Sequence, residues 1–166
     1  MSDVNSNDLV LYVRDTSSYR AATFEETLHA ARHLLAERFR PGRSLRSPEL
    51  VQEYLRFALA SREHEVFCLI GLDARHRLLG LVELFRGTVD GAQVHPREVV
   101  KESLRLNAVS VIIAHNHPSG VAEPSAADEM ITQRIKDALA LIDIRLLDHF
   151  VVGVHEVVSF ARRGLL

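Results

Sequence analysis

Two kinds of hydrophobic spacing alternate along the chain and predict a protein that mixes helices with strands. Residues 9–13 form a short β-prone run, and Thr23 then opens a helix, because Glu26 completes a capping box three residues later. Apolar positions at helical spacing continue until Pro41-Gly42: Phe24, Leu28, Ala31, Leu34, Leu35 and Phe39. An isolated helix of this length is marginal in water, so we expect this stripe to pack on the following domain or on another copy of the chain, as a homodimer.

The remainder of the chain shows the pattern of a compact domain. Helices are predicted at residues 47–61, 96–106 and 125–141, and strands at 66–72, 78–85, 109–117, 144–154 and 157–160. Strand 66–72 is apolar on both faces, which is typical of a strand covered on both sides. In helix 96–106 we expect four positions to face inward: Val99, Val100, Ser103 and Leu104. The predicted fold class is α/β (α+β), with a domain at 45–166 after an N-terminal extension at 1–44.

Composition and charge exclude several classes of protein. The chain has 166 residues, of which 47% are hydrophobic and 25% charged, as in an ordinary globular protein. With 20 basic and 22 acidic residues, the net charge of −2 gives no bulk electrostatic attraction to nucleic acid or membrane. The single cysteine, Cys68, favours a reducing compartment, and the first eight residues lack the features of a signal peptide. We therefore expect a cytoplasmic protein without a membrane partner.

The connector after the first helix is basic. It contains four arginines and no acid, namely Arg38, Arg40, Arg43 and Arg46. A weak nucleic-acid contact through their guanidinium groups is one interpretation. The stretch is short and has no interleaved aromatic residues, so a solvated linker is the favoured one.

The chemistry concentrates between residues 115 and 128. His115 and His117 end a buried strand and, two residues apart, project from the same face about 6.6 Å apart at the backbone. Ser125 and Asp128 stand at the start of the following helix. Two histidines and a carboxylate, with a fourth position for water, form the ligand set of an open, catalytic zinc site.

Each part of this pattern has a plainer interpretation. Ser125-x-x-Asp128 is also an ordinary helix cap, and a His-x-His pair on a strand can be two hydrogen-bonded polar residues. Asn116 between the histidines suggests an HNH nuclease, but that motif spreads its residues over a hairpin and a helix. A zinc deaminase in its usual form is excluded, because the H-x-E and P-C-x-x-C elements are absent.

Taken together, the pattern H-x-H, seven residues, Ser, two residues, Asp matches the JAMM (MPN+) metalloprotease motif at every position. Residues 45–166 resemble the RadC branch of that superfamily, most clearly at 65–67, 84–88, 94–99, 114–120 and 147–149. Full-length RadC proteins carry an N-terminal helix-hairpin-helix region. No such Gly-rich hairpin is visible here, so a short RadC-like protein with a different lead-in is expected.

The resemblance implies a curved mixed sheet flanked by helices, of the JAB/MPN (cytidine-deaminase-like) type. It implies one zinc ion per chain, held by His115, His117 and Asp128, and a peptide or protein substrate. Family members use an upstream glutamate as general base, for which Glu65 is the choice, and by analogy Ser125 stabilises the oxyanion. Glu63 and Glu83 stay open as alternatives for the base.

Two further functions stay open besides a JAMM-type zinc hydrolase. The RadC family is traditionally labelled as DNA repair, which suggests a DNA-associated accessory protein without peptidase activity, and a silent MPN-type scaffold is the third hypothesis. The remaining histidines are interpreted as structural; His149 is expected to be packed and hydrogen-bonded, and His95 to lie at a helix cap. Cys68 is expected to be buried and inert.

Overall fold

A computed structural model describes residues 10–14, 18–38, 40–45, 47–60, 62–87 and 94–166. The chain forms two compact units, Met1–Phe39 and Arg40–Leu166. The boundary expected between residues 44 and 45 stays a prediction. No helix in the described ranges has both the length and the apolar character that a membrane crossing requires.

The first unit contains a small hairpin and one helix. Strands β1 (Tyr12–Arg14) and β2 (Tyr19–Ala21) pair antiparallel, and α1 spans Phe24–Arg38. The predicted capping box is present, because Glu26 donates its N–H to Thr23 Oγ1 (3.2 Å) and accepts the Thr23 N–H (2.9 Å). Phe24 is 78% exposed, while Phe39 lies outside the described residues. The docking of the apolar stripe therefore stays a prediction.

The second unit is built around one five-stranded sheet. Its helices and strands, in chain order, are α2 (Pro48–Leu59), β3 (Val66–Leu72), β4 (Leu78–Arg86), α3 (Pro96–Arg105), β5 (Ser110–Asn116), α4 (Ala126–Ala140), β6 (Arg145–Val152), β7 (Val157–Ser159) and α5 (Phe160–Arg163). The strand order is β4-β3-β5-β6-β7. Only β5 and β6 pair in parallel, because α4 forms the crossover between them. The expected mixed sheet with flanking helices is confirmed.

The sheet is covered by helices on both faces. On one face, α3 and α4 bury an apolar cluster against β3 and β5, which includes Phe67, Leu69, Val99, Val111, Ile113, Ile135 and Leu139. On the other face, α2 contacts β5 and β6 and buries Val51 and Leu55. Every residue of β3 and β5 is buried, as their continuous apolar sequence predicts. The carboxyl end of β5, where the two histidines lie, therefore belongs to a strand that is buried along its whole length.

Two local expectations need correction, and one strand was missed. Leu104 was expected to face inward but is 57% exposed, while the neighbouring Ser103 is buried and donates its hydroxyl to the Val99 carbonyl (2.7 Å). Phe160 was expected to end the last strand, but it begins α5, which Ser159 caps by accepting the Arg162 N–H. The hairpin strand β2 was not predicted at all.

The arginine-rich connector is less free than a solvated linker. Leu78 donates its N–H to the Arg43 carbonyl (2.8 Å), and Leu45 donates to the His76 carbonyl (2.8 Å). Arg40 and Arg43 are exposed. Arg46 and the side chain of Arg38 lie outside the described part of the chain, so the expected nucleic-acid contact stays a prediction.

Candidate metal centre

The carboxyl end of β5 brings two imidazole rings together. His115 is the penultimate residue of the strand, and His117 follows it, with its N–H donated to the Val152 carbonyl (2.9 Å) as an extension of the parallel ladder. Because they are two residues apart, both side chains leave the same face of the sheet. Their Nε2 atoms lie 3.0 Å apart, and the ring of His115 is almost completely buried.

The first turn of α4 supplies the carboxylate. Ser125 caps the helix by accepting the Asp128 N–H (3.2 Å), and Asp128 Oδ2 accepts the Ser125 N–H (2.7 Å) and the Ser125 hydroxyl proton (2.6 Å). This capping box folds the carboxylate back towards the strand. Asp128 Oδ1 consequently lies 3.1 Å from His115 Nε2, and Oδ2 lies 3.4 Å from His117 Nε2. The plain capping interpretation is therefore correct, and the cap also positions the carboxylate.

These three side chains form a group that could hold a metal ion. Their ligand atoms all lie within 4.8 Å of one another, and among the described residues no other group of three or more such side chains meets that condition. Zinc binds nitrogen and oxygen ligands at about 2.0–2.1 Å. In a tetrahedral site the neighbouring ligand atoms therefore lie about 3.3 Å apart. The two Nε2 atoms lie 3.0 Å apart, and each has one carboxylate oxygen of Asp128 close by, Oδ1 at 3.1 Å from His115 and Oδ2 at 3.4 Å from His117.

The electrostatics of the group favour a cation at its centre. The hydrogen bond with Asp128 raises the pKa of His117 above its usual value, although burial opposes the shift. Burial would raise the pKa of Asp128, but its hydrogen bonds with His115 and His117 outweigh that effect and hold it well below the usual range. Both shifts follow from the attraction between this carboxylate and the imidazole rings beside it.

The strand register places Glu65 on the same face as the two histidines. Phe67 of β3 pairs with His115 of β5, and their rings stack with centroids 6.1 Å apart. The antiparallel register, continued by two residues, brings Glu65 level with His117. Glu65 is half-buried, and its negative charge contributes to the raised pKa of His117.

The other two glutamates considered for the base lie elsewhere. Glu83 of β4 pairs with Cys68, so its side chain leaves the opposite face of the sheet, and it forms an ion pair with Arg86 (3.1 Å). Glu63 is exposed in the bend before β3. Of the three candidates, the structure brings only Glu65 to the face that carries the histidines.

Asn116 fixes the segment that carries Glu65, a role that the sequence reasoning missed. Its side chain is buried, accepts the Val66 N–H (2.9 Å) at Oδ1 and donates from Nδ2 to the carbonyls of His64 (3.1 Å) and Arg62 (3.4 Å). The residues on both sides of Glu65 are thus bonded to the end of β5. A buried amide between two strand histidines is a signal that could have suggested such a bracket.

His149 is packed and hydrogen-bonded, as expected, and its partners are informative. The ring is fully buried beside His115, with Nε2 2.8 Å from His115 Nδ1 and Nδ1 2.6 Å from Thr132 Oγ1. Burial and the neighbouring His115 lower the pKa of His149 well below its usual value. Thr132 was not singled out from the sequence, although it lies one helical turn after Asp128 and so faces the same way.

The remaining predicted positions have structural surroundings. His95 is the N-cap residue of α3 but makes no capping hydrogen bond with its side chain, and its ring meets Phe85 edge-on. Cys68 is buried, as expected, and burial raises the pKa of its thiol to about 12. This thiol is therefore protonated at neutral pH.

Comparison with known proteins identifies the family. The RadC-like JAB domain profile matches residues 45–165. The chain belongs to the RadC-like JAB domain family. It is 56% identical over 145 residues to a UPF0758 protein of Nitrosomonas eutropha, which covers 87% of this chain and 65% of that protein. It is 58% identical over 139 residues to a UPF0758 protein of Nitrosococcus oceani, which covers 84% of this chain and 62% of that protein.

A third relative covers more of the chain. The UPF0758 protein of Methylibium petroleiphilum is 54% identical over 154 residues, 93% of this chain and 69% of that protein. The chain thus spans roughly two thirds of the length of these curated relatives. The expected family membership is confirmed, and the relatives' shared name, UPF0758 protein, states no activity.

Proposed function

We propose that this RadC-like JAB domain is a zinc-dependent hydrolase of the JAMM type that cleaves a peptide or isopeptide amide bond. The observation that carries the proposal is the convergence of two histidine nitrogens and a carboxylate within 4.8 Å at the end of β5. The glutamate that lies level with His117 on the same face supports it further.

His115, His117 and Asp128 would hold the zinc ion, and three protein ligands leave a position for water or substrate. When bound, zinc would lower the pKa of a water molecule and polarise the carbonyl of the scissile amide. Asp128 is suited to this role because its carboxylate is held ionised and oriented by the capping box.

Glu65 would act as general base and then as general acid. Its carboxylate would accept a proton from the attacking water and later donate that proton to the leaving amine. Among the described residues, this carboxylate has no hydrogen-bond or ion-pair partner, and its backbone is fixed because Gly87 donates to its carbonyl (2.8 Å). Glu65 thus combines a fixed backbone with a carboxylate that is available for hydrogen bonding, and both properties suit a group that must exchange protons with a substrate.

Ser125 would stabilise the negative charge that develops on the carbonyl oxygen of the substrate. Its hydroxyl currently donates to Asp128 Oδ2 (2.6 Å). To serve the oxyanion, the hydroxyl has to turn from that carboxylate towards the substrate. Such a hydrogen bond is typically worth ~10²–10³-fold in turnover.

Paired glutamine variants test the proposed base. Glu65→Gln should retain zinc and lose ~10²–10⁴-fold in hydrolysis of a fluorogenic peptide pool or of a lysine isopeptide. Glu83→Gln is the matched control, since its carboxylate leaves the opposite face of the same sheet. Equal activity of the two variants, or no hydrolysis of either probe by the zinc-loaded wild-type protein, would count against the proposal.

A further inference from the structure

A series of hydrogen bonds starts at Nδ1 of His115. This atom lies on the opposite side of the ring from Nε2, which faces the other two proposed ligands. His115 Nδ1 lies 2.8 Å from His149 Nε2, and His149 Nδ1 lies 2.6 Å from Thr132 Oγ1. Thr132 Oγ1 in turn lies 2.5 Å from the backbone carbonyl of Asp128. The chain of hydrogen bonds therefore begins and ends at two of the three proposed ligands.

The direction of each hydrogen bond follows from the Asp128 carbonyl, which can only accept. Thr132 has one hydroxyl proton and must donate it to that carbonyl. The Thr132 oxygen therefore presents a lone pair to His149, and His149 Nδ1 must carry the proton that lies between them.

The buried position of His149 determines the next proton. Its ring is fully buried beside the rings of Phe67 and Phe160, with centroids 5.8 and 4.6 Å away, where a charged imidazole is strongly disfavoured. A neutral imidazole has one N–H, which is already on Nδ1, so Nε2 accepts a proton from His115 Nδ1. His115 Nδ1 therefore carries a proton, and Nε2 is the ring nitrogen that faces Asp128 and His117.

We propose that Thr132 and His149 are positioning residues that hold a proton on His115 Nδ1 and so direct His115 Nε2 at a metal ion. The effect on metal affinity rests on the proposed function, whereas the Nδ1 proton is a property of the metal-free protein. Partners that orient a ligating histidine in this way are typically worth ~10–100-fold in metal affinity.

Zinc titration against a competing chelator tests the effect on affinity. Thr132→Val removes the hydroxyl at nearly constant volume and should weaken zinc binding by ~10–100-fold. Thr132→Ser keeps a hydroxyl and should restore most of the affinity. Ser103→Ala is the matched control, because Ser103 also donates a buried helix hydroxyl to the carbonyl four residues before it, but in α3 and without a hydrogen bond to a histidine among the described residues. Zinc affinity that is equal in wild type and Thr132→Val would overturn the proposal.

Nitrogen-15 NMR of the histidine rings in the metal-free protein tests the position of these protons directly, with a readout that loss of packing alone does not imitate. The expected spectrum shows Nδ1–H on both His115 and His149, an unprotonated Nε2 on His149, and loss of the single tautomer of His149 in Thr132→Val. An unprotonated Nδ1 on His115 would overturn the proposal. The expected Nδ1 protons in a protein that binds no zinc would uphold this assignment while refuting the proposed function.

Discussion

Gly153 follows β6 and packs against the loop after His117. Its replacement by alanine should displace that loop and so disturb the candidate site. A Cβ at this position would lie 2.4 Å from the Gly120 carbonyl oxygen and 2.9 Å from the Ala122 backbone nitrogen. Both contacts are with backbone, so the loop itself must move. That loop contains the Val121 carbonyl, which accepts the Nδ1–H of His117 (2.8 Å).

The expected cost follows from this contact. Overpacking costs typically about 1–3 kcal/mol, and backbone neighbours that cannot rotate away place Gly153→Ala in the upper part of that range. For a chain of this size, each kcal/mol lowers the Tm by about 2–4 °C, so we expect a decrease of about 4–12 °C. Zinc affinity should fall as well, because the displaced Val121 carbonyl no longer orients the His117 ring.

Gly80→Ala is the matched control, since its nearest neighbour is a flexible side chain, with Leu106 Cδ2 3.0 Å from the added Cβ. Thermal unfolding and zinc titration of both variants give the comparison. The reasoning is refuted if Gly153→Ala unfolds within about 0.5 kcal/mol of wild type, or if Gly80→Ala loses as much zinc affinity as Gly153→Ala does.

Three further predictions follow from the site and its surroundings. Ser125→Ala should cost about 1 kcal/mol in thermal unfolding through the lost cap, while Ser125→Thr keeps the hydroxyl and should cost less; equal losses would contradict this. Because Asp128 raises the pKa of His117 above the usual 6.5, zinc binding should release a proton from this ring near neutral pH. Zinc affinity measured by chelator competition should therefore rise as pH increases through neutrality, and a flat profile would contradict the raised pKa of His117. In filter-binding assays on duplex DNA, Arg40→Ala with Arg43→Ala should lower only a weak, steeply salt-dependent binding; tight, sequence-selective binding at physiological salt would favour the DNA-associated function instead.

The raised pKa of His117 also has a defined effect on the metal-free protein. A histidine with a raised folded pKa stabilises the fold fully below its unfolded value of about 6.5, and this contribution disappears as pH rises through the raised value. The lowered pKa of Asp128 acts in the opposite sense, since its contribution is present above about 3.8 and disappears at lower pH. The stability of the metal-free protein contributed by this pair should therefore be greatest in mildly acidic solution.

Elements that depend on local spacing could be predicted from the sequence. The buried strands β3 and β5 have continuous apolar sequence, and Ser47-Pro48 and Ser125 mark helix starts that the structure contains. The short helix α5 was missed because it was joined to the strand before it, although Ser159 and Gly164 are a cap and a left-handed terminator for its four residues.

Features that depend on contacts between distant residues could not be predicted. The choice of Glu65 over Glu83 depends on strand register, and the register shift between Phe67 and Cys68 decides which β4 residue lies opposite Cys68. Asn116 acts on a segment 50 residues earlier in the chain, and the bond between Thr132 and His149 links α4 to β6. A single sequence contains no direct signal for either contact.

Zinc content of the purified protein tests the central claim most directly. The account predicts about one zinc ion per chain in the wild type and in His29→Ala, an exposed histidine of α1, and almost none in His117→Ala, which lacks one of three ligands. Elemental analysis that finds stoichiometric zinc in His117→Ala, or none in the zinc-supplemented wild type, would contradict the account.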